Sequence, residues 1–245
     1  MLETIDINAD LGEGSVNDAQ LMPHISSCSI ACGGHYGNQT TIRTAVKLAK
    51  KHGVRIGAHP SFPDMEHFGR KVLPLTKNAL AKTIQEQLIR FYAVCKLENV
   101  PVNHIKLHGA LYNEAAIHEA TADGVLKGIL AAKMYPKLYL PFDSVLAKNA
   151  DGLFPIAYEA FIDRSYNDDL SLVSRSKRGA VIDSPMDAWQ QLKGMLEDKV
   201  VKTKQNKTQS IVATTFCIHS DTPNVVETLV FIKQQLKQAG IGLTK

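Results

Sequence analysis

The sequence predicts an α/β fold: a parallel, seven-stranded (β/α) barrel formed by one domain, residues 1–245. Three observations support this prediction. Seven short apolar runs alternate with stretches of helical periodicity, as in a parallel sheet covered by helices. Polar or ionisable residues follow nearly every run. The chain of 245 residues, 44% hydrophobic and 21% charged, is long enough to bury the core of one such barrel.

A doubly wound open sheet is the alternative, and it would need a phosphate-binding glycine turn after an early strand. Gly12-Glu13-Gly14 matches only the first half of that motif, because Asn17 stands where the third glycine belongs. No Gly-Lys-Ser or Gly-Lys-Thr of a P-loop occurs in the sequence. The closed barrel is therefore the better prediction.

The first three predicted strands are Ile5–Ala9, Ser27–Ala31 and Val54–Ala58. Each is a short apolar or β-branched run that is followed within a few residues by glycine or proline. A helix over Thr40–His52 separates the second and third strands, because its apolar residues recur at helical spacing. Gly53 then ends that helix as a C-terminal cap.

A long helix over Lys77–Leu97 leads to the fourth strand, Val102–Leu107. Lys106 lies inside this strand, and a buried lysine must be paired or lose its charge. His108 follows the strand directly, and a helix is predicted over Ala110–Lys133. The fourth strand thus brings two ionisable groups to its carboxyl end.

The last three predicted strands are Lys137–Phe142, Phe154–Tyr158 and Ser210–Ile218. The helices that accompany them are Ser144–Asn149, Pro185–Glu197 and Pro223–Ala239. Proline is favoured at a first helical position, as in the last two. Two polar segments interrupt the pattern: Asp163–Asp183 is predicted as an excursion and Lys199–Lys207 as a solvated turn.

Composition argues against several classes of function. The formal net charge of +4 is mild, and no basic stripe with interleaved aromatic residues predicts nucleic-acid binding. No apolar run approaches the roughly 18 residues of a membrane span, and the first residues lack the pattern of a signal peptide. The four cysteines form no CxxC pair. We therefore expect reduced thiols in a cytoplasmic protein.

The predicted strand ends carry most of the candidate functional residues. In order along the chain these are Asn8, Asp10 and Glu13; Cys32 and His35; His59; Lys106 and His108; Asp143; Glu159, Asp163 and Arg164; His219 and Asp221. In a parallel barrel all carboxyl ends of the strands meet on one face. The pattern over seven ends predicts an active site there.

Each of these residues also has a structural interpretation. Asp10 and Glu13 could cap a helix, and His35 and His59 could bond only to backbone. Cys32 is interpreted as a small buried hydrophobe rather than a nucleophile. Lys106 has few structural explanations inside a strand, so a functional role is favoured.

Two arginines have alternative roles. Arg164 and Arg175 either pair with Asp163 and Asp168 or bind a carboxylate or phosphate of the substrate, which suits the forked guanidinium.

Three chemistries fit this set of residues. In the first, Asp10, His59 and His108 hold a divalent metal that activates water, although no HxH or HExxH spacing supports it. In the second, a carboxylate or histidine is the general base and Lys106 stabilises the oxyanion, without a metal. In the third, the site binds a ligand and performs no chemistry.

Seven segments of the chain resemble a known family in order and spacing. They are N-A-D-L-G-E-G at 8–14, A-C-G-G-H-Y-G at 31–37, G-A-H-P-S at 57–61, F-G-R at 68–70, K-L-H-G-A-L-Y-N at 106–113, E-A-F-I-D-R at 159–164 and H-S-D-T-P at 219–223. The family is LamB/YcsF, understood as the A component of bacterial 5-oxoprolinase. The resemblance runs from residue 5 to about residue 242.

This resemblance implies a seven-stranded barrel akin to glycoside hydrolase/deacetylase barrels. It implies ATP-dependent opening of 5-oxo-L-proline to L-glutamate with partner subunits B and C, which would carry the ATP chemistry. The alternatives are a metal-dependent, deacetylase-like hydrolase and a non-catalytic substrate-binding component. The dependence on a divalent metal and the existence of a homo-oligomer stay open.

The resemblance also suggests roles for the strand-end residues. Asp10 or His59 would activate water. Lys106 and His108, the other two expected catalytic residues, would face the developing negative charge and the leaving nitrogen. Arg70 or Arg164 would hold the substrate carboxylate. The remaining expected substrate-binding residues are Asn8, Glu13, His35, Tyr112, Asn113, Glu159, Asp163, His219 and Asp221.

The chain departs from the family pattern at three positions. Leu107 replaces the usual proline before His108, and Ser220 replaces the usual glycine after His219. Asn38 stands where an aspartate is more usual in the second segment.

Overall fold

Seven parallel strands hydrogen-bond in a closed ring in this computed structural model, which describes residues 3–245. Their order around the ring is that of the sequence, and the last strand pairs with both the first and the sixth. The ten strands among the described residues are β1 (Thr4–Leu11), β2 (Ser27–Ala31), β3 (Arg55–His59), β4 (Val102–Lys106), β5 (Lys137–Leu140), β6 (Ile156–Phe161), β7 (Val200–Lys202), β8 (Thr208–Ser210), β9 (Thr215–His219) and β10 (Gly242–Leu243). The ring consists of β1 to β6 and β9, so the predicted seven-stranded parallel barrel is confirmed.

The helices follow the strands and cover the barrel. They are α1 (Asp18–Leu21), α2 (Gln39–His52), α3 (Lys77–Leu97), α4 (Gly109–Ile117), α5 (Glu119–Ala131), α6 (Val145–Ala150), α7 (Pro185–Glu197) and α8 (Val225–Gln238). Side chains cap four of them by accepting bonds from the first free backbone N–H groups: Asn38, Thr76, Ser144 and Ser184. No helix within residues 3–245 has both the length and the apolar character needed to cross a membrane.

The alternation of side chains along β1 explains how the barrel separates its two environments. Ile5, Ile7 and Ala9 pack in the apolar core, whereas Asn8 and Asp10, which alternate with them, are buried among polar groups. The register then sets Asp10 beside His219 of β9. A polar barrel interior is therefore built from every second residue of its strands.

A second polar layer lies nearer the amino ends of the strands. The Tyr139 hydroxyl donates to Asp6 at 2.8 Å, and the Tyr139 ring stacks on His104 with centroids 3.9 Å apart. Gly57 makes room for that imidazole, because a Cβ there would lie 2.2 Å from His104 Nε2. This layer closes the barrel below the candidate site.

Several predicted boundaries are wrong. The helix predicted over Ala110–Lys133 is two helices, α4 and α5, because His118 adopts an extended conformation with φ −116° and ψ 118°. The predicted turn Lys199–Lys207 is most of an antiparallel hairpin, since β7 pairs with β8. Ser210, the predicted start of the seventh barrel strand, belongs to β8 of that hairpin, and the barrel strand begins at Thr215.

Two further shifts matter for the site. The first strand continues to Leu11, so Asp10 lies within it and not beyond its end. The sixth strand continues to Phe161, so Glu159 also points from inside a strand.

Candidate active site

Lys106 occupies the centre of the barrel, as the last residue of β4. Its Nζ lies 2.9 Å from Asp10 Oδ1 and 3.0 Å from Glu159 Oε1. It also donates to Asn8 Oδ1 at 3.3 Å and to Cys217 Sγ at 2.9 Å. Burial opposes the charge, but the surrounding anions prevail and hold the pKa of Lys106 well above its usual value. The lysine is therefore a permanent buried cation.

The two carboxylates around Lys106 are held in turn by other groups. Asn8 donates to Glu159 Oε1 at 2.9 Å and to Thr215 at 2.7 Å. Burial alone would raise the pKa of Asp10, yet the charges of His59 and Lys106 bring it well below the usual range. Asp10 is thus an anion that is shared between the lysine and the histidines above it.

Four ionisable groups gather above this layer: Glu13, His35, His59 and His108. Glu13 Oε1 lies 2.8 Å from His35 Nε2, 3.1 Å from His108 Nδ1 and 3.6 Å from His59 Nε2. The rings of His35 and His108 stack with centroids 3.7 Å apart. Burial favours the neutral form of Glu13, but its contacts with His108 and His35 lower its pKa far below the usual value. Glu13 is therefore an anion enclosed by the imidazoles of His35, His59 and His108.

Backbone carbonyls set the orientation of two of these imidazoles. His59 Nδ1 donates to the carbonyl of Lys106 at 2.8 Å, and His108 Nε2 donates to the carbonyl of Phe68 at 2.9 Å. A carbonyl only accepts, so these two nitrogens carry the ring protons. The remaining nitrogens, His59 Nε2 and His108 Nδ1, face each other at 3.0 Å.

Burial lowers the pKa of two imidazoles in this group and is outweighed in the third. The pKa of His35 falls to about 4 because burial outweighs its bond to Glu13. Burial likewise lowers the pKa of His108. Burial also acts against the charge of His59, but Asp10 and Glu13 raise the pKa of that residue. The positive charge of the group therefore belongs on His59.

A carboxylate–imidazole pair stands beside this group. Both carboxylate oxygens of Asp163 lie 3.0 Å from His219 Nδ1, and the backbone N–H of His219 donates to Asp163 at 2.9 Å. Asp163 is fully buried, and these bonds together with the charge of His219 lower its pKa in spite of burial. Because Nδ1 carries the proton, Nε2 of neutral His219 keeps a lone pair.

His219 is the most accessible imidazole of the site. Its side chain is 16% exposed, against 7% for His108 and 1% for His59. One of its nitrogens lies within 4.8 Å of both Asp10 and Cys217. The pair Asp163–His219 can therefore act on a molecule that enters from the mouth.

A cleft of about 510 Å³ forms that mouth. It is lined by residues 13–17 after β1, by Phe68, and by residues 220–224 after β9. At the mouth's rim Arg70 bonds to Asp221 at 2.7 Å, and Arg175 bonds to the same carboxylate at 3.2 Å. Two guanidinium groups that share one exposed carboxylate could exchange it for a substrate carboxylate.

Other predicted site residues lie outside this centre. Arg164 is buried, and its guanidinium donates to the carbonyls of Val173 and Ala180, so it holds the segment between β6 and α7. Asn113 is exposed on α4. Asp143 pairs with Lys148 at the surface.

Tyr112 and Cys32 are buried. The Tyr112 hydroxyl and Glu159 Oε2 have no hydrogen-bond partner among the described residues, and burial next to Glu159 raises the pKa of the tyrosine well above its usual value. Burial also raises the pKa of the Cys32 thiol, which accepts from the backbone of His59. Cys32 thus lacks the thiolate character of a nucleophile.

The three departures from the family pattern have structural explanations. Asn38 caps α2 through a reciprocal pair with Thr41 and does not contact the central cluster. Leu107 belongs to the apolar core, on the side of the strand opposite Lys106 and His108. Ser220 does not have a positive φ, so serine fits without strain.

Two residues of the site were missed from the sequence. Cys217 contacts Lys106, and its two-residue spacing from His219 on one strand could have indicated it. Phe68 contributes its carbonyl to His108 and packs on His35 with centroids 5.2 Å apart. Phe68 adopts φ 53°, which no sequence pattern indicates.

Among the described residues, the side chains with the geometry to hold a metal ion include two sets of three. One is Asp10, Cys217 and His219; the other is Glu13, His35 and His108, and His59 Nε2 lies 3.0 Å from His108 Nδ1 beside this second set. Lys106 contacts two members of the first set, and its charge opposes a second cation there. Next to the second set the positive charge lies on His59, whose proton a metal ion can replace.

The arrangement of Asp163, His219 and Asp10 permits proton transfer. The His219 imidazole is held by the buried carboxylate of Asp163, is partly exposed and lies near a second anion, Asp10, as general acid–base chemistry requires. Positive charge on Lys106 and His59 lies behind the cleft, where it can stabilise an anion.

Comparison with known proteins agrees with this architecture. Residues 5–245 match the model of the LamB/YcsF family. The chain is 37% identical to a protein of Thermococcus sibiricus that is named as the A component of 5-oxoprolinase, over 98% of this chain and 96% of that protein. It is 39% identical to a protein of the same name from Rhodopseudomonas palustris, over 99% and 98% of the two chains.

A solved structure shows the same fold. The lactam utilization protein of Thermus thermophilus superposes with a TM-score of 0.90 at 32% sequence identity, and the alignment covers 98% of this chain and 99% of that one. The family match and the identity over nearly full length establish that the chain belongs to the LamB/YcsF family.

Proposed function

We propose that this chain is the A component of an ATP-dependent 5-oxoprolinase and that it hydrolyses the activated lactam of 5-oxo-L-proline to L-glutamate. One geometric observation carries the proposal: the Asp163–His219 pair lies within 4.8 Å of Asp10 and directly before residues 220–224, which line a cleft together with Glu13. Relatives of nearly the same length, named for that component of 5-oxoprolinase, support the choice of substrate.

The chemistry explains why ATP is needed. A five-membered lactam is a stabilised amide, and its carbonyl carbon is a poor electrophile. Transfer of a phosphoryl group to the carbonyl oxygen makes that carbon reactive. Water then adds, the C–N bond breaks, phosphate leaves, and the ring nitrogen takes a proton to become the amine of glutamate. Partner subunits B and C supply the phosphoryl transfer in this proposal.

His219 is assigned as the general base. Asp163 holds its Nδ1 proton, so Nε2 can accept a proton from the attacking water and return it to the ring nitrogen. His219 suits this role better than His59 because its side chain is more exposed. Asp10 is shared between Lys106 and His59, and its low pKa makes it a weak base.

The remaining residues bind and orient the substrate. The group of Glu13, His59 and His108 faces the carbonyl side of the ring, and Lys106 keeps Asp10 ionised below it. Arg70 at the rim binds the substrate carboxylate, and Asp221 holds its guanidinium until substrate arrives. Arg164 is not used for this, because backbone carbonyls engage it.

The test is glutamate release from 5-oxoproline by the chain reconstituted with its partner subunits, with and without ATP. We expect release only when ATP and all subunits are present. Release at the same rate from a complex that carries His219→Ala would contradict the catalytic assignment, and no release from the complete system would contradict the function. His118→Gln, at an exposed histidine, is the matched control.

A second function is favoured by the two facing imidazole nitrogens, since such a pair can bind a metal. In that case the chain would be a metal-dependent hydrolase that acts without ATP. Hydrolysis of a lactam or an acetylated sugar by the isolated chain, dependent on Zn²⁺ and independent of ATP, would support it over the first.

A further inference from the structure

The group formed by Glu13, His59 and His108 has an excess of electron pairs. The backbone carbonyls of Lys106 and Phe68 oblige His59 and His108 to carry their protons on the outer nitrogens. When both rings are neutral, His59 Nε2 and His108 Nδ1 present lone pairs to each other across 3.0 Å. Glu13 adds a carboxylate oxygen 3.1 Å from the second of them. Three electron-rich atoms then face one another, and either a proton on His59 Nε2 or a metal ion in its place compensates them.

The three atoms are spaced as ligands of one metal ion. Their separations are 3.0 Å between the two nitrogens, 3.1 Å from Glu13 Oε1 to His108 and 3.6 Å from Glu13 Oε1 to His59. Atoms at these separations lie on a circle of about 1.9 Å radius, so a point about 2.1 Å from all three exists, which is a usual metal–ligand distance for Zn²⁺.

Hydrogen bonds with neighbouring groups orient these three side chains in the way that metal ligands in proteins are usually oriented. A ligating histidine usually donates its other N–H to a carbonyl or carboxylate, and both rings do so here. A ligating carboxylate is usually hydrogen-bonded, and His35 Nε2 donates to Glu13 at 2.8 Å. Asp10 Oδ2 lies 3.4 Å from His59 Nε2, in position to be a fourth ligand.

We propose that Glu13, His59 and His108 form a binding site for one divalent transition-metal cation, of the class of Zn²⁺ or Mn²⁺, with His35 as the residue that positions Glu13. Two imidazoles and a carboxylate form a set that suits such ions, whereas Mg²⁺ prefers oxygen ligands. The ion enters from the cleft, on which Glu13 opens.

This inference deepens the proposed function, because the ion would lie where the lactam oxygen is expected. Only the role of the ion in the reaction rests on that function, because binding of the ion is measured on the free chain. A cation there would supply Lewis-acid chemistry to the bound substrate.

The experiment titrates chain freed of metal by chelator with Zn²⁺, Co²⁺ and Mg²⁺ separately, and measures heat, metal content after dialysis and, for Co²⁺, visible absorption. We expect one equivalent of Zn²⁺ or Co²⁺ to bind, no competition from Mg²⁺, and a higher melting temperature of the loaded protein. Glu13→Gln, His59→Ala and His108→Ala should each weaken binding by at least about 100-fold, and His35→Phe by about 10–100-fold.

His118→Gln is the control for adventitious histidine binding and should bind as the wild type does. Circular dichroism of each metal-free variant separates loss of a ligand from failure to fold, and Glu13→Gln keeps the shape of its side chain. Absence of stoichiometric binding, or binding by folded His59→Ala and His108→Ala as tight as that of wild type, would overturn the inference. If metal does not bind while the complete complex still releases glutamate with ATP, the metal site is wrong and the proposed function is retained. If metal binds but the complete complex releases no glutamate, the metal site is retained and the proposed function is wrong.

Discussion

Lys106 Nζ and Asp10 Oδ1 are 2.9 Å apart at the centre of the barrel, and both side chains are almost completely buried. Glu159 lies on the other side of the same ammonium at 3.0 Å. Two carboxylates therefore depend on one cation for compensation in a place that water barely reaches. Loss of the cation leaves both anions in a medium where isolated charges are costly.

Removal of that cation should destabilise the fold. Removing one partner of a buried pair typically costs about 3–5 kcal/mol, so we expect Lys106→Met to lower the free energy of unfolding by that amount. Adding Glu159→Gln should restore part of it, because one stranded anion is removed. Urea unfolding of both variants is the measurement. A single variant as stable as wild type, or a double variant less stable than the single, would contradict the pairing.

Loss of the His219 imidazole should affect turnover more than folding. We expect His219→Ala to lower kcat of the reconstituted complex by about 10²–10⁴-fold, the usual contribution of a general base. Asp163→Asn should also lower kcat, because an amide can hold the other ring tautomer. Steady-state kinetics with circular dichroism of each variant is the test, and unchanged kcat in His219→Ala would remove this residue from the mechanism.

Arg70 should discriminate between substrates with and without a carboxylate. We expect Arg70→Ala to raise KM for 5-oxoproline by roughly 10–100-fold, the loss of a charged hydrogen bond. KM for 2-pyrrolidone, the same lactam without the carboxylate, should not change. Arg43→Ala is the control, since Arg43 of α2 pairs with Glu98 and lies away from the mouth. An equal rise of KM for both lactams would rule out the assignment.

Gly69 is required by the close packing of two histidines. It has φ 62°, and a Cβ there would lie 2.8 Å from His35 Cβ and 3.0 Å from His108 Cδ2. Gly53 has nearly the same φ of 65° with no atom within 4 Å, so it is a matched control. Gly53→Ala should cost only the backbone strain of about 1 kcal/mol.

We expect Gly69→Ala to cost about 1–3 kcal/mol more than Gly53→Ala and to reduce metal binding and turnover. Thermal unfolding of the two variants side by side is the measurement. Equal melting temperatures would show that the histidines yield to the added methyl group.

His104 should make the fold sensitive to mild acid. Burial, followed by the charges of Lys106 and Arg55, holds its pKa well below the usual 6.5 in the folded state. Below pH 6.5 the unfolded chain binds a proton that the folded chain does not, so this residue lowers stability as pH falls. The slope reaches at most about 1.4 kcal/mol per pH unit.

Urea unfolding of wild type and His104→Gln at pH 7 and pH 5 measures this effect. The stability of wild type should fall more than that of the variant between the two pH values, because all other titrating groups are shared. Equal losses in both proteins would mean that His104 takes up a proton in the folded state.

Several features followed from the sequence alone. The alternation of apolar runs with helical patterns determined the seven-stranded barrel, because burial on both faces of a parallel strand is a local property of its residues. His59, His108 and His219 were identified from their positions at predicted strand ends, because the carboxyl ends of parallel strands meet on one face of a barrel. Helix caps such as Thr76 were also readable, since a cap acts within three residues.

Only the tertiary structure decided which of these groups meet. Lys106 and Asp10 are 96 residues apart, and Asp163 and His219 are 56 apart, so closure of the ring and not any local pattern brings each pair together. The same closure engages Arg164 with backbone carbonyls and leaves Arg70 at the mouth. Proton positions on His59 and His108 depend on carbonyls of Lys106 and Phe68, whose direction is a property of the folded backbone. Sequence patterns report burial, whereas hydrogen-bond partners and charges depend on distances in the folded chain.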